Sequence, residues 1–238
     1  MRIGGLQKFS LIDYPGKIAA IVFTQGCNFR CPYCYNPELV DPDRFGECIP
    51  EGDVFALFEA RRGKLDGVVI TGGEPTLQPD LADFASRVKG LGYSVKLDTN
   101  GSNPGVLKSM IYGKLADYIA MDIKAPLHPV KKPGTESRYG EVTRSGIEPD
   151  VIRESIDIIL SSGIDHEFRT TVAWGCLLPG DYLKMAKAVK GAKRYALQKF
   201  VPSKILDPEM TGLKAPSDED LLELKKSIGR YVREVIIR

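Results

Sequence analysis

The chain has 238 residues, with 33 Lys and Arg against 31 Asp and Glu and a formal net charge of +2. That length and balance fit one globular domain and exclude a disordered, fibrous or strongly polybasic protein, so no global field draws the chain to nucleic acid or a membrane surface. Five cysteines, three of them crowded into residues 27–34, argue against a secreted disulfide framework and for metal or redox chemistry in a reducing compartment. The start MRIGGLQKFSLIDYPG has no apolar leader-like run, and no stretch approaches the roughly 18 apolar residues of a spanning helix, so a cytoplasmic location is expected.

Apolar runs rich in Val, Ile, Phe and Tyr alternate with segments of helical periodicity, the signature of βα units around a parallel sheet. In chain order the pattern predicts a strand at 18–24, a helix at 52–62, a strand at 67–71, a helix at 80–91, a strand at 94–98, a helix at 104–112 and a strand at 117–122. Residues 125–148, rich in Pro, Gly, Lys and Thr, read as a long loop with room for a short helix. A helix at 150–162, a strand at 166–172, a helix at 181–190 and a strand at 195–200 follow, with Asp80, Asp150 and Asp181 as cap or first-turn residues. A Pro-containing loop at 202–216, a helix at 217–227 and an apolar run at 231–237 complete the chain. A full eight-unit barrel takes about 250 residues. Six units therefore predict an α/β fold of the incomplete (β/α)6, TIM-like kind, open along one side, in a single domain 1–238 whose core spans about 16–200 and whose C-terminal extension spans about 201–238.

The sharpest chemical signal follows the first predicted strand: Gln25-Gly26-Cys27-Asn28-Phe29-Arg30-Cys31-Pro32-Tyr33-Cys34. Thiolates are soft ligands for iron–sulfur clusters or zinc, and three of them spaced x3 and x2 can wrap one inorganic centre from a single loop. A closed zinc site wants a fourth ligand, for which Cys48, Cys176, His128 and His166 are all remote, and the spacing differs from the usual C-x2-C pairs. A four-iron cubane would keep one iron free of protein. Next, Thr71-Gly72-Gly73-Glu74-Pro75 ends a strand, where paired glycines would let a ligand approach the backbone and Glu74 offers a carboxylate to an ammonium group. Polar residues recur at the same place in later units: Asp98 and Asn100, Asp122 and Lys124, Arg169 and Thr171, Gln198 and Phe200. In a βα barrel the C-terminal strand ends form the active face, so these groups would meet at one mouth. Taken singly, each suits a cap or turn.

With these residues the chain resembles the radical S-adenosylmethionine (SAM) enzymes. Within them it is most similar to the glycyl-radical-enzyme activases labelled anaerobic ribonucleoside-triphosphate reductase activating proteins. The likeness is carried by Ser10-Leu11-Ile12-Asp13-Tyr14-Pro15-Gly16, the Cys27/Cys31/Cys34 loop, Gly72-Gly73-Glu74-Pro75, Asp98-Thr99-Asn100-Gly101 and Met121-Asp122-Ile123-Lys124. The resemblance implies a [4Fe–4S] cluster on the three cysteines, SAM on the open iron, an external electron and a 5′-deoxyadenosyl radical that takes a hydrogen atom from substrate. It implies that Gly72, Gly73 and Glu74 hold the methionine amino group and that Tyr33 borders the adenine. Asp98, Asn100, Asp122 and Lys124 would lie near the rest of SAM, the aspartates with a monovalent cation, and Arg169, Gln198 and Phe200 on its outer side. The implied partners are a glycyl-radical enzyme, whose loop would enter the open barrel, and a flavodoxin- or ferredoxin-type electron donor.

Two further readings stand beside this one. A small-molecule radical SAM enzyme similar to the 7-carboxy-7-deazaguanine synthases would close a polar pocket with the 125–148 loop, and a non-catalytic iron–sulfur or zinc protein would need only the cysteines. The inserted ferredoxin-like region of many activases has no counterpart, and Cys48 and Cys176 read as small buried residues. His128 and His166 lie outside every motif, and the run Lys184, Lys187, Lys190, Lys193 and Arg194 reads as a solvated helix face rather than a nucleic-acid site.

Overall fold

The computed structural model describes residues 1–128, 137–201 and 204–238. Parts of the two predicted loops, residues 129–136 and 202–203, lie outside the described residues. Eight strands form one sheet whose spatial order equals the chain order. They are β1 (Ile3–Ser10), β2 (Ala19–Thr24), β3 (Gly67–Gly72), β4 (Ser94–Thr99), β5 (Tyr118–Asp122), β6 (Asp165–Val172), β7 (Tyr195–Lys199) and β8 (Val235–Ile237). The helices are α1 (Pro37–Val40), α2 (Glu51–Ala60), α3 (Leu81–Gly90), α4 (Pro104–Tyr112), α5 (Arg138–Thr143), α6 (Pro149–Ser162), α7 (Pro179–Ala188) and α8 (Asp218–Ile228). Strands β2 to β8 run parallel and β1 runs antiparallel along β2. Among the described residues no pairing joins β1 to β8, so the six central βα units curve into an incomplete barrel with one open side.

The six predicted strands occur where expected because each is apolar on both faces, as a strand covered by helices on one side and by barrel interior on the other must be. The ends of the chain differ from expectation. Residues 3–10 form a strand that the sequence hid, since Gly4, Gly5, Gln7 and Lys8 break any apolar run and its outer edge pairs with no further strand among the described residues, apart from Ile49 N–H on the Ile3 carbonyl at 2.8 Å. The extension is likewise part of the sheet, through Leu197 opposite Ile237. The fold thus runs beyond the expected core of 16–200 at both ends. Pro179 rather than Asp181 opens α7. Asp181 sits at the third helical position, where its carboxylate accepts the Leu178 N–H at 3.1 Å.

The segment 10–16, which is prominent in the sequence, acts at the N-terminal end of the barrel. Tyr14-Pro15-Gly16-Lys17 makes a turn closed by Lys17 N–H on the Tyr14 carbonyl at 3.1 Å, with proline second and Gly16 third at φ +72°, a conformation that glycine adopts without strain. The turn drives the Tyr14 ring into the barrel floor among Ala19, Ile21, Val69, Tyr118 and Ala120. Burying such a ring stabilises the fold by about 1.5–3 kcal/mol.

Candidate active site

Strand register brings the chemistry to one level. Thr24 pairs with Gly72, Asp122 with Arg169 and Thr171 with Gln198, so the C-terminal ends of β2 to β7 surround a cavity of about 420 Å³. That volume lies within the ordinary range for a small-molecule site, about 300–1,000 Å³. Cys27, Cys31, Cys34, Tyr33, Gly72, Gly73, Glu74, Asp98, Asn100, Asp122, Lys124, Arg169 and Gln198 all line it. Phe200 does not: its buried ring stacks on Tyr35 at 6.0 Å, behind the wall, and Tyr35 faces the cavity in its place.

The cysteine loop is fastened on several sides. Gly26 N–H reaches the Leu39 carbonyl at 2.8 Å, Arg30 N–H the Thr143 carbonyl at 2.8 Å, and Asp207 N–H the Pro32 carbonyl at 3.0 Å. Phe29 and Tyr33 are buried anchors between the cysteines, with Phe29 edge-on to Tyr139 at 6.3 Å. All three thiols are free, and they turn into the same cavity. Burial pushes Cys27 to about 11, with Glu74 adding to the rise, and Cys31 to about 12 against the pull of Lys124. Burial raises Cys34 as well. Such thiols are inert until an electrophilic metal displaces their protons. Among the described residues no three His, Cys, Asp or Glu side chains converge on the position of one metal ion.

The glycine pair has a packing reason beside the one expected. A Cβ on Gly73 would fall 2.0 Å from the Gly26 carbonyl oxygen, and one on Gly72 would fall 2.3 Å from Thr24 N, so neighbouring backbone closes on both. Gly73 N–H bonds the Thr24 carbonyl at 2.9 Å and Glu74 N–H the Gly26 carbonyl at 2.8 Å, which locks this loop to the cysteine loop. The Glu74 carboxylate is also internally engaged. It accepts Thr76 N–H at 3.0 Å, Thr76 Oγ1 at 2.6 Å, Thr99 Oγ1 at 2.8 Å and Asn100 N–H at 2.6 Å. Burial lifts its pKa while these donors oppose the rise. Glu74 therefore organises the ends of β3 and β4 from within the cavity lining. Asn100 bridges onward to the cysteine loop, donating to Asn28 Oδ1 at 3.0 Å.

On the opposite wall lies an alternating chain of charges. Lys96 Nζ donates to Asp98 Oδ1, Arg169 donates to Asp98 Oδ2 at 2.8 Å and to Asp122 Oδ1 at 2.7 Å, and Lys124 Nζ donates to Asp122 Oδ2 at 2.8 Å. Burial disfavours the ionised aspartates, but Arg169 with Lys96 and Arg169 with Lys124 outweigh it and hold both carboxyls below their usual range. The guanidinium fills the place between the aspartates where a monovalent cation was expected. Lys96 was missed because it lies within an apolar run; the signal was its spacing of two from Asp98, which puts both on one strand face. Also unforeseen is Arg238 on the cavity wall, paired through Nη1 and Nη2, each at 2.9 Å, with the buried Glu167 of β6. Cys176 is buried as expected, whereas Cys48 is exposed, its thiol on Gln25 Oε1 at 3.3 Å.

A cysteine-loop mouth on an incomplete βα barrel defines a class: residues 21–189 match the family model of the Radical SAM superfamily, and the chain belongs to it. It is accordingly an enzyme class that works with a [4Fe–4S] cluster and SAM, which sets aside the zinc and non-catalytic readings. Within the class, the chain is 35% identical, over 99% of its length and 95% of the relative's, to a protein of Methanocaldococcus jannaschii provisionally named glycyl-radical enzyme activating enzyme. It is 28% identical to the 7-carboxy-7-deazaguanine synthase of Methanothermobacter thermautotrophicus, over 72% of this chain and 70% of that one. The fold also matches that of Streptococcus suis SuiB bound to S-adenosylmethionine, with a TM-score of 0.63 and 14% identity over 92% of this chain and 49% of that one. Among the described residues no helix is long and apolar enough to cross a membrane.

Proposed function

We propose that this protein is a glycyl-radical-enzyme activase, which removes a hydrogen atom from a glycine Cα of a large partner enzyme. The observation that carries this reading is the likeness, along nearly the whole of both chains, to the activating enzyme of M. jannaschii. The open side of the barrel supports it, since β1 and β8 pair with no further strand among the described residues, and such edges suit an extended protein segment better than a sealed pocket would. In this reading Cys27, Cys31 and Cys34 hold the cluster and leave one iron for SAM. Backbone groups at Gly72 and Gly73 face the methionine ammonium, and Lys124 and Arg169 face its carboxylate. Tyr33, Asn100 and Gln198 complete the wall. When bound, the cluster supplies one electron to SAM, and reductive cleavage provides the 5′-deoxyadenosyl radical.

The protein's own work is to bind, orient and exclude water, for which rigid, internally satisfied side chains such as Glu74 and Asp122 are suited. His128 and His166 both lie outside the cavity lining. A flavodoxin- or ferredoxin-type donor would supply the electron in the cytoplasm, with residues 1–238 acting as one unit. The test is electron paramagnetic resonance of anaerobically reconstituted protein with SAM, dithionite and a purified glycyl-radical enzyme, ribonucleoside-triphosphate reductase first. The expected result is a glycyl radical on the partner matched by 5′-deoxyadenosine. Turnover of a free pterin without any partner protein would replace this reading with the small-molecule one.

A further inference from the structure

Lys96 is 1% exposed, in the middle of a strand, with its ammonium on Asp98 and 5.9 Å from the centre of the Tyr118 ring. Lysine is among the residues least often buried, and its stem here lies inside the barrel, with the ammonium on the carboxylate two residues along the same strand. The chain of contacts around it explains the position. Each of the four oxygens of Asp98 and Asp122 already accepts from a cationic group: Lys96, Arg169 twice, and Lys124. Three fixed cations face two carboxylates and leave one positive charge over, which suits the carboxylate of SAM. A sodium or potassium ion between the aspartates would need oxygens that are engaged and would add a second uncompensated positive charge in a buried place. The residues present do not fit such an ion.

We propose that Lys96 is a built-in substitute for a bound monovalent cation: its ammonium balances Asp98, which keeps Arg169 aimed at the cavity, and SAM binding therefore needs neither sodium nor potassium. Lys96 is a positioning residue that acts through Asp98 and Arg169. The inference rests on SAM occupying this cavity as described above.

The test is equilibrium dialysis of labelled SAM against anaerobically reconstituted protein in potassium, sodium or tetramethylammonium chloride at equal ionic strength. For the wild type the dissociation constant should change less than about twofold among the salts, since the charges are supplied by fixed ammonium and guanidinium groups. Lys96→Ala should bind SAM about tenfold more weakly in tetramethylammonium, a loss of one buried charge-assisted contact, and should recover in potassium or with added methylammonium. That rescue is a readout that a merely structural lysine would not give. Wild-type binding that collapses without sodium or potassium would overturn the proposal, as would a Lys96→Ala variant that binds like the wild type in every salt. If the variant does not fold, the wild-type salt series decides alone. Absence of SAM binding in all salts would defeat the site assignment itself, and with it this inference, and is distinguishable from salt-dependent binding.

Discussion

The two ends of this barrel hold cavities of similar size, about 420 Å³ at the C-terminal strand ends and about 450 Å³ at the N-terminal ends, built from different chemistry. The upper one collects three free thiols and four interlocked charges, Asp98, Asp122, Lys124 and Arg169, with Lys96 buried behind them. The lower one is floored by Tyr14 and rimmed by ion pairs such as Lys193 with Asp165 and Arg194 with Glu234, both at 2.7 Å and largely in reach of water. Exposed pairs of that kind contribute little, about 0–1 kcal/mol. Cavity size therefore does not mark the site. What marks it is buried polarity that costs stability unless every partner is present, and that cost concentrates at the upper end.

This contrast is open to direct challenge. Replacing Arg169 by Met takes one of two cationic partners from each of two buried carboxylates, so urea denaturation should show a loss of about 3–5 kcal/mol for two charge-assisted hydrogen bonds, with SAM binding lost from the molecules that remain folded. Tyr14→Ala at the lower end should lower stability by a comparable 3–5 kcal/mol through the cavity left by the ring, yet leave the affinity of folded protein for SAM unchanged. If Tyr14→Ala weakened SAM binding as much as Arg169→Met, the division between the ends would fail.

The smallest effect concerns pH. Asp98 and Asp122 have depressed pKa values in the folded protein, so their stabilising contribution is present above the ordinary value of 3.8 and is lost only as pH falls through the lower folded values. The upper network should thus be equally strong at pH 8 and pH 5. His166 at the lower end is held neutral by burial, with Nε2 accepting Lys193 N–H at 3.2 Å and Nδ1 facing the Ile164 carbonyl at 2.9 Å. The unfolded chain takes up that proton first, so the histidine's contribution is full above 6.5 and declines as pH falls below it. Urea midpoints should drop modestly from pH 8 to pH 5.5 in the wild type and drop less in His166→Gln. An equal drop in both proteins would remove His166 from the account.

Much of this was legible before any coordinates. Strands buried on both faces announce themselves as apolar runs, and a ligand loop with three cysteines at fixed spacing needs no tertiary information. Other features depend on what lies across the barrel. Lys96 looks like an interruption of a strand until Asp98 and Arg169 are placed beside it. Glu167 and Arg238 are 71 residues apart and become a pair only when β6 and the end of the chain share one interior. Strand β1 escaped because Gln7 and Lys8 lie on an exposed edge and Gly4 is required by tertiary packing, a Cβ there falling 2.5 Å from Gln25 Cγ and 2.7 Å from Leu39 Cδ2. The glycine pair was rightly singled out, with a packing reason beside the expected one that only the contacts with Thr24 and Gly26 reveal.

The central claim is that the upper cavity is a SAM-cleaving centre built on Cys27, Cys31 and Cys34. It is tested most directly by anaerobic reconstitution with iron and sulfide, reduction with dithionite, and assay of 5′-deoxyadenosine from SAM in the wild type and in Cys31→Ala. The account predicts 5′-deoxyadenosine from the wild type and none from the variant, whose apo form should stay folded. A reconstituted wild-type cluster that never cleaves SAM, or a Cys31→Ala protein that cleaves it equally well, would contradict it.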